Sequence, residues 1–118
     1  MFDHETIRVS DLEASHRFYA LALSTLGFAD PTAGGGFYEW WDFSISQARD
    51  ERPVTRNLHV AFVATSRDAV DEWWRVMTDA GYRDDGAPGL RPQYHAEYYG
   101  AFVLDPDGNN VELVCHHP

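Results

Sequence analysis

Polar and apolar positions along the chain change period several times, and the changes repeat. From Thr6 to Val9 the side chains alternate, which predicts a strand. Its Ile7 and Val9 would face a core, and His4, Thr6 and Arg8 the opposite side. Ser10-x-x-Glu13 then reads as a capping box, and Leu12, Phe18, Tyr19, Ala22 and Leu26 form a stripe at helical spacing. Gly27 is a natural left-handed stop. The same order returns from His59: an apolar strand to Ala64, a weaker cap at Thr65-x-x-Asp68, a stripe of Val70, Trp73, Trp74 and Met77, and a stop at Gly81. An aromatic pair follows each histidine at the same offset, Phe18-Tyr19 after His4 and Trp73-Trp74 after His59. Several landmarks in register predict two copies of one unit.

After each helix the pattern turns to short strands and turn residues. Phe37–Trp41 and Phe43–Ser46 read as strands in the first half, Tyr94–Leu104 and Val111–Val114 in the second. Asp105-Pro106-Asp107-Gly108-Asn109-Asn110 predicts a hairpin turn. Ala29–Gly36 and Arg83–Gln93 read as loops. Residues 1–48 form the first expected module, the polar stretch 49–56 with Pro53 a linker, and 57–118 the second module. The class is α+β, with helices on the outer face of a mostly antiparallel sheet whose free faces curl into a shared concavity.

Composition narrows the function. The net charge is −10, and all nine bases are Arg. An acidic surface argues against nucleic acid and anionic membranes as partners. The single cysteine, Cys115, excludes an internal disulfide. No apolar run reaches the roughly 20 residues that span a bilayer, and the charged start Met1-Phe2-Asp3-His4-Glu5 lacks a signal-peptide pattern, so a cytoplasmic location is expected.

Three stretches carry a resemblance: DHETIRVSDLEASHRFYALALSTLGF at residues 3–28, HVAFVATSRDAVDEWW at 59–74 and YYGAFVLDPDGNNVEL at 98–113. Together they resemble the vicinal-oxygen-chelate superfamily, which includes glyoxalases, bleomycin-resistance proteins and extradiol dioxygenases. The resemblance implies two tandem βαβββ modules forming a cupped sheet, with metal ligands on the inner strands. Carried over by position, it makes His4, His59 and Glu112 the metal ligands. Aligning Phe43-Ser44-Ile45 with Val111-Glu112-Leu113 puts Ser44 where a four-ligand glyoxalase I has a further ligand. A serine hydroxyl is a poor ligand at neutral pH, so three ligands remain. The resemblance also implies a homodimer in which a site takes His4 from one chain and His59 and Glu112 from the other.

Two imidazoles and a carboxylate suit a divalent ion such as Fe, Mn, Zn or Ni and leave positions open for neighbouring substrate oxygens. Glu112 would face the concavity, opposite Val111 and Leu113, whereas the His59 strand is apolar on both faces and periodicity does not orient it. Arg8 shares the face of His4 and suits an anionic substrate group, or an ordinary surface pairing. Tyr98 and His95, in a cluster with Tyr94 and Tyr99, are candidate acid or base groups, or strand aromatics of the core. The expected function is a metal-dependent lyase, isomerase or transferase on a small oxygenated molecule. The alternatives are a metal-free, antibiotic-sequestering binder and an Fe(II) extradiol-type dioxygenase.

Overall fold

The structure is a computed structural model that describes all 118 residues. It resolves into two compact units, Met1–Arg56 and Asn57–Pro118. The first contains β1 (Glu5–Val9), α1 (Leu12–Ser24), β2 (Thr32–Gly34), β3 (Phe37–Trp40) and β4 (Phe43–Gln47). The second contains β5 (His59–Val63), α2 (Arg67–Asp79), β6 (Asp84–Leu90), β7 (Tyr99–Leu104) and β8 (Asn110–Cys115). Each is a βαβββ unit with one four-stranded sheet, ordered β1-β4-β3-β2 and β5-β8-β7-β6. In each sheet the first strand pairs in parallel with the last, and the other pairings are antiparallel.

The apolar periodicity explains the packing. Ile7, Val9 and Ile45 are buried with Phe18, Tyr19, Ala22 and Leu23 of α1, which contacts β4. Val70, Trp73 and Met77 of α2 are fully buried, as are Ala101, Val103, Val111 and Leu113 of β7 and β8, the strands α2 contacts. Burying each of the larger side chains contributes about 1.5–3 kcal/mol. Leu12 and Leu26 sit only partly buried at the ends of the first stripe; Ser15 and Leu23 occupy the buried face instead. Trp74 is half-buried and donates from Nε1 to Asp84. Trp41 leaves β3 with φ 48° and is exposed.

Several local expectations are corrected. Each helix is capped one residue later than the motifs suggest: Asp11 accepts from Ala14 N–H at 3.1 Å, and Ser66 from Ala69 N–H at 3.1 Å. An N-cap oxygen reaches the N–H three residues on, so Asp11 and Ser66 displace Ser10 and Thr65. Glu13 then falls outside the capping box, and accepts from the Tyr38 hydroxyl. The two stretches read as loops contain β2 and β6. Both are edge strands, where Gly and Pro are tolerated because one side needs no ladder. The strand expected from Tyr94 begins at Tyr99, because Arg91–Tyr98 forms a turn closed by Arg91 N–H on Tyr98 C=O. Gly27 and Gly81 do stop the helices, at φ 87° and 97°.

The Asp105–Asn110 turn also aligns strands. Asp105 Oδ1 accepts from Asp107 and Asn109 N–H, both at 2.9 Å, and Gly108 takes φ 83°. The buried Asn109 Oδ1 accepts from Leu58 N–H, and Asn110 N–H donates back to Leu58 C=O, both at 3.0 Å. These contacts set His59 opposite Asn110 and Ala61 opposite Glu112.

Candidate metal-binding site

The second sheet carries a polar chain on the face away from α2. Glu112 is almost fully buried, at 1% exposure, and a buried carboxylate is costly unless its oxygens are partnered. Its Oε1 lies 2.9 Å from His59 Nε2, and its Oε2 accepts from the Tyr98 hydroxyl at 2.5 Å. Gly100 makes room: a Cβ there would stand 2.8 Å from Glu112 Oε2. Burial and the bond to Glu112 raise the Tyr98 pKa well above that of an ordinary phenol, so Tyr98 is a donor at neutral pH and a poor base.

The other side of His59 is equally constrained. Nδ1 contacts Asn110 Oδ1, and Asn110 Nδ2 donates to Asp85 Oδ2 at 2.5 Å. His59, Asp85, Tyr94, Tyr98, Phe102 and Glu112 line an open pocket of about 510 Å³. Sequence pattern does not point to Asp85, Asn110 or Phe102. Asn110 was readable only as a turn residue, and Asp85 lies in a glycine- and proline-rich stretch without strand periodicity.

These residues fit two ligands of one divalent ion. Ligand atoms about 2.1 Å from a metal and at right angles are about 3 Å apart, close to the spacing of His59 Nε2 and Glu112 Oε1. The donor count agrees. Both ring nitrogens face acceptor oxygens, and a neutral imidazole carries a single N–H. A cation on Nε2, proton or metal, satisfies both contacts. No set of three His, Cys, Asp or Glu side chains gathers as a metal-binding group.

His4 precedes β1, is exposed, and bonds through Nδ1 to Asp3 Oδ1 at 2.8 Å, a contact that raises its pKa. Ser44 shares a 2.7 Å hydrogen bond with Thr6 Oγ1. Thr6 pairs with Ser44 two residues after His4, and Ala61 with Glu112 two residues after His59, so the two registers correspond. Arg8 lines a smaller pocket of about 280 Å³ in the first unit, with Phe37, Ser46 and Arg49. His95 Nε2 lies 2.8 Å from His116 Nδ1, and its ring is 5.4 Å from that of Tyr98. His116, which reads as a tail residue, thus joins the aromatic group beside Glu112, its ring 5.3 Å from that of Tyr98. Tyr99 belongs elsewhere: its hydroxyl donates to Asp71 on α2 at 2.6 Å.

Comparison with known proteins matches this architecture. The family model of the Glyoxalase/Bleomycin resistance protein/Dioxygenase superfamily matches residues 24–113. The chain belongs to this superfamily. A curated relative, the uncharacterized protein YqjT of Bacillus subtilis (strain 168), is 32% identical over 133 aligned positions, covering 95% of this chain and 96% of YqjT. A glyoxalase/bleomycin resistance protein from Albidiferax ferrireducens T118 is similar in structure, with a TM-score of 0.85, 29% identity and 98% of each chain covered. A glyoxalase/bleomycin resistance protein/dioxygenase family enzyme from Burkholderia phytofirmans PsJN shares the fold, with a TM-score of 0.73, 20% identity and 96% of each chain covered. As a superfamily member the chain has a fold whose members bind small molecules. Neither of its helices is long and apolar enough to cross a membrane.

Proposed function

We propose that this superfamily member is a divalent-metal-dependent lyase, isomerase or transferase acting on a small oxygenated substrate. The observation that carries the reading is the pairing of a buried carboxylate with an imidazole Nε2 at metal-ligand spacing, in the wall of a pocket. His59 and Glu112 supply two ligands, and His4 supplies the third from a second copy of the chain. The edge strand β5 supports pairing of copies: it is apolar along Val60–Val63, and Val63 is 71% exposed. An apolar edge strand left bare invites another chain.

When bound, the metal supplies Lewis-acid stabilisation of negative charge on substrate oxygens. The chain's own groups do the rest. Glu112 is held by Tyr98, so its Oε1 stays directed at the His59 side. Tyr98, kept protonated, donates a hydrogen bond within the pocket rather than removing a proton. His95, its ring beside that of Tyr98, is the group placed to serve as acid or base. Arg8, which lines the pocket of the first unit, is the group suited to an anionic part of the substrate, through a charge-assisted hydrogen bond.

The test is elemental analysis of protein purified without added metal and again after supplementing Mn, Fe, Ni and Zn. One equivalent of metal per chain is expected, with loss in Glu112→Ala and a large decrease in His4→Ala. Metal at the level of Glu112→Ala under every condition would overturn the proposal. It would leave the second reading, a metal-free binder, which the aromatic lining of Tyr94, Tyr98 and Phe102 favours. Bound iron with oxygen uptake on catechols would instead mark a dioxygenase.

A further inference from the structure

We infer that Asp85 and Asn110 are positioning residues that set which nitrogen of His59 faces the pocket cation. The inference rests on the metal reading for its purpose, but its geometry stands independently. An ionised carboxylate only accepts hydrogen bonds. Asp85 Oδ2 therefore takes the amide N–H of Asn110, and this decides the orientation of the amide. Asn110 Oδ1 must then face His59 Nδ1. An acceptor at Nδ1 favours the proton there and frees the Nε2 lone pair toward Glu112.

The backbone is shaped to deliver Asp85. Asp84 pairs with Val103 and Gly86 with Phe102, so Asp85 is an extra residue with no partner across the ladder. A bulge of this kind turns a side chain away from its regular alternation. Asp84 pins it, accepting from Gly86 N–H at 2.8 Å and from Trp74 Nε1–H at 3.0 Å. Gly86 has φ 154°, and a Cβ there would stand 2.7 Å from the Phe102 ring. Asp85 itself is exposed and lines the same pocket as His59 and Glu112. Its replacement should leave the fold intact, so an effect at His59 is not a folding effect.

Two measurements on purified protein test this. The first is Zn(II) affinity by competition with a chromophoric chelator, for wild type, Asp85→Ala, Asp85→Asn, Asn110→Ala and Glu112→Ala. Asp85→Ala and Asn110→Ala should bind Zn(II) about 10–100-fold more weakly. Asp85→Asn should fall between, because an amide can present either its oxygen or its N–H to Asn110. The second is the ring-nitrogen NMR spectrum of 15N-histidine-labelled, chelator-treated protein at about pH 9, where an imidazole is neutral. The share of His59 carrying its proton on Nδ1 should fall in Asp85→Ala and Asn110→Ala relative to wild type. Unchanged tautomer balance in both variants overturns the inference, whatever the metal result. Wild-type Zn(II) binding no tighter than that of Glu112→Ala overturns the metal reading alone, and the tautomer shift then decides the positioning role. Zn(II) affinities of Asp85→Ala and Asn110→Ala within twofold of wild type, with Glu112→Ala losing the metal, overturn the positioning role and leave the metal reading standing.

Discussion

The two units share topology and strand register yet place opposite chemistry at one position. In the second, Glu112 is buried between His59 and Tyr98; in the first, Ser44 shares a hydrogen bond with Thr6. The neighbouring strands differ to match. Gly100, across from Val114, leaves space beside the carboxylate, whereas the corresponding position of the first unit, across from Ser46, carries Phe37. The helix-facing sides meanwhile remain alike: Ile7, Val9 and Ile45 in one unit, Val111 and Leu113 in the other, all buried. One face of each sheet secures the fold, and the other is free to hold a carboxylate or a pair of hydroxyls. A buried carboxylate requires partners on both oxygens and room to reach them; the Thr6–Ser44 hydroxyl pair needs only its mutual bond and the Glu5 carbonyl, 3.4 Å from Ser44 Oγ.

This contrast can be broken most sharply at Glu112. Glu112→Ala should lower stability by about 2–3 kcal/mol in urea unfolding, because it empties a buried position and strands the Tyr98 hydroxyl. Ser44→Ala should cost about 1 kcal/mol, the net worth of an ordinary hydrogen bond. Equal losses would erase the difference between the units.

Gly100→Ala tests whether the space is needed. The added methyl meets Glu112 Oε2 and should cost about 1–2 kcal/mol and weaken Zn(II) binding; unchanged affinity would show that the carboxylate has other room.

Tyr98→Phe sharpens the contrast through pH. The folded-state pKa of Tyr98 lies above its unfolded value, so its contribution is fully present below about pH 10 and is lost as pH rises further, when the unfolded chain releases the proton first. Wild type should lose stability between about pH 9.5 and 11 more steeply than Tyr98→Phe, followed by thermal midpoints. Parallel curves would remove Tyr98 from the coupling.

The smallest expected effect is at His4. His4→Ala should leave the thermal midpoint of the metal-free protein unchanged, since the side chain is exposed and bonds to Asp3, which is more exposed still. His59→Ala should lower it, because Glu112 loses a partner.

Much of the fold was legible in sequence because apolar burial writes a period. Helical spacing located α1 and α2, and alternation predicted the buried faces of β1 and β8. The edge strands β2 and β6 were not legible: their residues are largely exposed and make few demands on composition. The cap positions shifted by one residue because several neighbouring side chains could cap, and backbone geometry selects among them.

The sequence by itself determined the repeat, the α+β class, the superfamily resemblance and the candidate ligands His4, His59 and Glu112. Only the tertiary structure decided that Glu112 is buried against Tyr98, that Asn110 faces His59, and that a bulge carries Asp85 to Asn110. The physical reason is range. Periodicity is a local property of the chain, set by which side is wet. The partners of the buried carboxylate come from β5 and the turn before β7, and those of His59 from β8, where Asp85 of β6 reaches Asn110; all are brought together by a register that no local pattern encodes.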